Sequence, residues 1–383
     1  MKNSGNVVQV AVRFVIFLLM PGLLLTAHSS AQSITMPRTR DVSSIRNHLM
    51  QVQSDRSAEQ VAATPATDEP DPPAFRFVSI DVPHSVGTLA AGINARGSIV
   101  GIYFDKAGNE HGFLLKKGNF SKIDVPGSLV GVSGTLQSEA NGINSAGDIV
   151  GDYFAPPGAP GAPACTADSP AFSAQCRRGF LYPKGQFSDV LVPGKKGSIP
   201  NAISPDGMIY GCDHDDDYFA SMVGFGRNGL DRYITLDAGG GELEDATESV
   251  LASMNNGATN DGSIIVGLYV DPPQSDGKNR GYVVKDGRFH PYDVPGSVAT
   301  QIWGISPAGD FVGLYDDAKG EHGFLQHWGE DGPITIDVPS GSPFNATLTD
   351  AFAINSRGMI VGAYMDASGG FHGYLAVRRG DGE

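Results

Sequence analysis

The 383-residue chain has little of what most catalytic or nucleic-acid-binding proteins need. Its three cysteines cannot build a disulfide framework or a cysteine-rich zinc site, and no CxxC occurs. Lys and Arg total 27 against 42 Asp and Glu, a formal charge of −15. That balance excludes a phosphate-backbone binder, which needs clustered cations, and it disfavours anionic lipid surfaces. GxSxG and HExxH are missing. Gly224, Gly226 and Gly229 spell GxGxxG, but in a β-rich segment with no helix to follow, so the phosphate-cradling geometry is absent. Nothing demands an enzyme.

Long apolar runs are missing too. The one from Phe14 to Ala27 is shorter than the ~20 residues of a spanning helix and contains Pro21. Lys2 and Arg13 precede it and the small residues Ser29, Ser30 and Ala31 follow. It therefore reads as a secretory signal, residues 1–31, cleaved after Ala31, with a single membrane anchor as the alternative. No cysteine follows directly, so no lipid anchor is expected. The expectation is a secreted or periplasmic monomer with no membrane span after cleavage. In an oxidising compartment Cys165 and Cys176 pair across their Pro- and Ala-rich loop, which leaves Cys212 as a small buried hydrophobe or an intermolecular thiol.

Glycine and proline, in contrast, are plentiful, at 51 and 25 without a three-residue period, which predicts many turns and short strands. Residues 32–74 are a polar linker, Pro-rich from Thr64 to Ala74 (TPATDEPDPPA), with a marginal helix predicted over Val42 to Ala62. From Phe75 the chain repeats itself. IDVP recurs at Ile80, Ile123 and Ile336 and as YDVP at Tyr292, with degenerate copies near Val190 and Ile234. GINARGSIVGIY from Gly92 returns in altered form from Gly142, Ala202, Gly257, Gly304 and Ala353. A third element, HGF or a variant, stands at His111, Arg178, Val223, Arg280, His322 and His372. Each unit supplies four β-rich runs separated by turn residues, the pattern of a propeller blade. A lone FxxIDVP run opens the series and the last unit lacks one. The sequence therefore predicts an all-β, six-bladed β-propeller over 75–377 whose N-terminal strand closes the last blade, with 378–383 as a tail.

These GIN, HGF and IDVPG units resemble the bacterial extracellular HAF repeats, named for a His-Ala-Phe core that reads HGF or HGY here. The resemblance covers about three hundred residues. It implies export and a propeller-like scaffold; it carries no agreed activity and no catalytic residue.

In a repeat protein, a residue present in nearly every copy maintains the copy, and a residue that breaks the pattern can serve a single site. His111, His322 and His372 share a position with Arg178 and Arg280, so a hydrogen-bonding role between strands or blades explains all five. Asp105, Asp215, Asp271, Asp317 and Asp366 recur two residues beyond the IVGxY tyrosine. There Asx turns suffice and calcium is the sharper reading. The run Asp213, His214, Asp215, Asp216, Asp217 departs from the repeat and is the best metal candidate, for calcium if for any ion, against the reading of a solvated acidic loop.

Just before the GIN glycine stand Ala91, Asn141, Asn201, Asn256, Trp303 and Phe352, varying where their neighbours do not. On an innermost strand they would line the channel and bind a polar ligand such as a glycan; otherwise they pack between blades. Functionally the sequence points to a non-catalytic binding or scaffold module for a glycan or envelope protein, needing no cofactor. The alternative, by fold-level analogy, is a propeller hydrolase, lyase or lactonase acting on a sugar-like substrate with a divalent cation. A third reading is an envelope structural protein docking a partner through its Cys165 to Cys176 loop. Convergence of Asp213 to Asp217 with the three asparagines on one pocket would favour the enzyme, and dispersal the module.

Overall fold

The structure is a computed structural model that describes residues 74–169, 174–214, 223–227, 233–235, 252–270, 279–330 and 332–379. The predicted signal, nearly all of the linker and Asp215, Asp216, Asp217 and Asp271 lie outside the described residues.

Six four-stranded antiparallel sheets form the blades of a β-propeller. Blade one is β2 (Gly87–Ile93), β3 (Ile99–Phe104), β4 (Glu110–Lys116) and β5 (Asn119–Ile123). Blade two is β6 (Ser138–Ile143), β7 (Ile149–Phe154), β8 (Arg177–Tyr182) and β9 (Ser188–Val190). Blade three is β10 (Gly197–Ile203), β11 (Ile209–His214), β12 (Val223–Arg227) and β13 (Tyr233–Thr235). Blade four is β14 (Ala252–Ala258), β15 (Ile264–Val270), β16 (Asn279–Lys285) and β17 (Arg288–Tyr292), and blade five is β18 (Ala299–Ile305), β19 (Phe311–Asp316), β20 (Glu321–Gln326) and β21 (Ile334–Ile336).

Blade six joins the two ends of the described chain. β22 (Ala346–Ile354), β23 (Ile360–Asp366) and β24 (Phe371–Arg378) take β1 (Phe75–Ile80) as their outer strand, in register from Phe75 opposite Arg378 to Ile80 opposite Gly373. The first strands of neighbouring blades touch all the way round the ring, β22 against β2 included, so these are the innermost strands. Closure leaves only short outer edges, which satisfies the backbone groups an open sheet would expose.

The core lies between blades. Ile99, Phe113 and Leu115 of blade one pack with Val361 and Leu375 of blade six, and Val266 and Val283 of blade four with Ile302 and Phe324 of blade five. The GIN strands of blades one and two are buried on both faces, which accounts for their many small and apolar residues.

The repeated polar residues secure each blade. His111 reaches Asp124 of the IDVP run at 3.0 Å and the turn Asp105 at 3.3 Å; His322 likewise meets Asp337 and Asp317, and His372 meets Asp81 and Asp366. Tyr103, Tyr315 and Tyr364 lie against those imidazoles, with centroids 5.0, 5.2 and 5.0 Å away. Arg178 and Arg280 pair with Asp189 and Asp293 in the same way. The HGF position therefore ties its own blade's third strand to the fourth. The carboxylates of Asp105, Asp317 and Asp366 accept backbone N–H groups two to four residues on, the Asx turns expected. A disulfide joins Cys165 to Cys176, and Cys212 is a buried thiol.

Candidate channel site

Every innermost strand carries a β-bulge at one repeat position. The register slips between Ala90 and Gly92, Ala140 and Gly142, Pro200 and Ala202, Asn255 and Gly257, Ile302 and Gly304, and Ala351 and Ala353. The extra residue is Ala91, Asn141, Asn201, Asn256, Trp303 or Phe352, the set that varies in the sequence. A bulge re-aims a side chain out of the regular ladder. All six line one cavity of about 190 Å³ on the ring axis.

Opposite each bulge stands the glycine of IVGxY. A Cβ on Gly101, Gly151, Gly211, Gly267, Gly313 or Gly362 would collide with the carbonyl oxygen of Leu89, Glu139, Ile199, Met254, Gln301 or Asp350. The bulge therefore dictates glycine in all six copies, and this clash explains the repeat's most constant residue.

The bulged side chains also reach sideways. Asn141 Nδ2 donates to Asp152 Oδ1 at 2.9 Å and to the Pro200 carbonyl of the next blade at 3.1 Å. Asn201 Nδ2 donates to Asn256 Oδ1 at 2.9 Å, and Asn256 Nδ2 to the Ile302 carbonyl at 2.8 Å. Trp303 meets Phe352 edge to face, with centroids 5.7 Å apart. One residue set thus performs both roles foreseen for it, lining the channel and joining blades. Among the described residues Asn141 Oδ1 is buried with no hydrogen-bond partner, beside the cavity. Just beyond, Asn94 and Asn144 donate to the Asn144 and Ser204 carbonyls at 3.0 and 3.2 Å, and Asn355 to the Asn94 carbonyl at 3.1 Å.

Asp213 and His214 end β11, paired with Ser198 and Gly197 at the start of β10, and neither lines the cavity. Adjacent residues of a strand face opposite sides. Asp213 accordingly meets Lys195 at 3.2 Å, while His214 is buried and driven down to about 3, by desolvation first and then by Arg177 and Lys195. Among the described residues no three His, Cys, Asp or Glu side chains form a metal-binding group; Asp215 and Asp217 lie outside them.

A buried ionic cluster was not singled out in the sequence. Arg177, wholly buried, bridges Glu139 and Asp152, and its guanidinium lies 5.2 Å from the Phe154 ring centre. Glu139 also hydrogen-bonds Glu110 of blade one. Burial pushes Glu110 up to about 7 and Glu139 well above the carboxylate range, with Arg177 pulling both back. Blades five and six hold a second acid pair, Glu321 with Asp350, where burial and then the Glu321 charge raise Asp350. The signal was available, because Glu139 and Asp152 stand where other copies carry Leu89, Met254, Ile102 or Leu268.

No protein-family model matches the chain, and no curated protein does. Solved structures that resemble it include the Aleuria aurantia lectin bound to Fucα1-6GlcNAc, at 12% identity, with 78% of this chain and 93% of that one covered and a TM-score of 0.44. Another is the β-propeller domain of the trilobed protease from Pyrococcus furiosus, at 6% identity, covering 78% and 98%, TM-score 0.43. A third is a PL25 ulvan lyase bound to a GlcA–sulfated rhamnose unit, at 11% identity, covering 76% and 82%, TM-score 0.38.

Proposed function

We propose that this chain is an exported, non-catalytic binding module of the HAF-repeat type that takes a small polar ligand, of glycan chemistry, at the bulge-lined end of its channel. The observation that carries the reading is that six bulges deliver one variable residue from each repeat, Ala91, Asn141, Asn201, Asn256, Trp303 and Phe352, to a single cavity, while the IVGxY glycine opposite each bulge stays constant. Amide side chains beside Trp303 and Phe352 offer what a sugar needs, donors and acceptors for hydroxyls next to apolar surface for its C–H face. The cavity has room for on the order of six waters at ~30 Å³ each, so the ligand is a single ring or a chain end. Separation of Asp213 and His214 from this cavity favours binding over hydrolysis.

The chain has two tryptophans, Trp303 and Trp328, so Trp328→Phe leaves the channel indole as the only one. Titrating that variant with neutral and acidic oligosaccharides should shift its emission saturably, and Asn201→Ala should weaken the response. An unresponsive Trp303, or release of cleaved sugar, would refute the reading, and cleavage would point to the hydrolase instead.

A further inference from the structure

A second departure from the repeat builds a different cleft, independent of the channel. In blades one and four the third and fourth strands are joined by Lys117-Gly118 and Asp286-Gly287, tight turns with positive φ at both residues. Blade five instead inserts 327–333 between β20 and β21. Buried Gln326 fixes this segment, its Nε2 donating to the carbonyls of His327 and Glu330 at 2.7 Å each. Its Oε1 accepts the Tyr292 hydroxyl of blade four at 3.0 Å, so the insertion is tied to the neighbouring blade.

Between insertion and neighbour lies a cleft of about 440 Å³, within the ~300–1,000 Å³ of small-molecule sites. Trp328 lines it and keeps 39% of its surface exposed, whereas most large apolar side chains of the described residues are buried. The Lys285 ammonium sits 4.4 Å from its ring centre and steadies the indole. Tyr292 adds a second aromatic, and the exposed His290, Asp293 and Glu330 add hydrogen-bonding groups.

We propose that this cleft between blades four and five binds a neutral pyranose, stacked on Trp328. A pyranose presents an apolar C–H face and a rim of hydroxyls that both donate and accept, and a flat exposed indole among carboxylates and an imidazole complements both features. The exposed carboxylate of Glu330 disfavours uronic or sulfated sugars, Asp293 being paired with Arg280. Lys285 already supplies the cation for this indole, which disfavours an ammonium ligand.

The test uses Trp303→Phe, in which Trp328 is the sole tryptophan, titrated to tens of millimolar with the methyl pyranosides of glucose, galactose, mannose and fucose. Millimolar dissociation, about −4 kcal/mol, suits a single ring in an open cleft. At least one sugar should shift the emission saturably. The same sugar should show saturation-transfer NMR contacts in the Asn201→Ala background, where the channel is impaired, that disappear when Trp328→Ala is added, which separates this cleft from the channel. If Trp328→Ala does not melt cooperatively, the double variant His290→Ala, Glu330→Gln replaces it. Silence with all four sugars, NMR contacts that survive the cleft variant, or a response to choline alone would each overturn the proposal.

Discussion

Replacing Asp350 by Asn should remove a slope from the pH dependence of stability. Asp350 on β22 and Glu321 on β20 meet across a blade interface and share a hydrogen bond, with Asp316 adding negative potential. Two carboxyls bond each other only while one keeps its proton. The folded protein therefore holds a proton that the unfolded chain releases above roughly pH 4. Because the folded state binds more protons, stability falls as pH rises, by about 1.4 kcal/mol per unit, until the pair's raised pKa is passed. The wild-type curve is composite. His214, neutral when buried and held down to about 3, contributes the opposite slope, since below roughly pH 6.5 the unfolded ring takes a proton that the folded ring refuses. Subtracting wild type from variant at each pH cancels His214. Asparagine donates the bond permanently, with no proton to lose. Urea titrations from roughly pH 4.5 upward should show Asp350→Asn gaining steadily on wild type as pH rises. A flat difference would refute the shared proton.

Arg177→Met leaves Glu139 and Asp152 buried without their cation and should cost about 3–5 kcal/mol in chemical denaturation, far more than loss of an exposed arginine. Gly151→Ala drives a methyl into the Glu139 carbonyl opposite the bulge and should cost ~2 kcal/mol or more, whereas alanine at Gly108, with open space around it, should cost about 1 kcal/mol for its positive φ alone; paired thermal melts separate the two. Removing Phe75–Ile80 bares the outer edge of β24 from Gly373 to Arg378, so the truncated chain should lose cooperative melting or associate through the open edge, as size-exclusion chromatography would show.

The blades were legible because the repeat carries its own turn chemistry. The lone opening IDVP run fixed the closure, and β24 extends one residue beyond the predicted end. The bulge ring was legible only as variation: the sequence marked Asn141, Asn201 and Asn256, but the cross-strand register that makes each an inserted residue is a tertiary property. The HGF residues were read as hydrogen bonders, yet their partners, the aspartates of IDVP, were not, since strand pairing brings together residues 13 to 15 apart in blades one and five. Glu110, Glu139, Asp152 and Arg177 passed as ordinary charges because local sequence does not report burial.

Closure by β1 also sets an order of events. The first strand of the propeller to be synthesised pairs last, because Asp81 waits for His372 and Ser79 for Tyr364, 291 and 285 residues downstream. Until β24 has left the ribosome, the growing chain holds an unmatched strand at one end and an incomplete ring at the other. Such long-range closure is slow. Blades one to five can pair their own strands as they emerge, but the ring itself is complete only when Gly373–Arg378 becomes available to Phe75–Ile80.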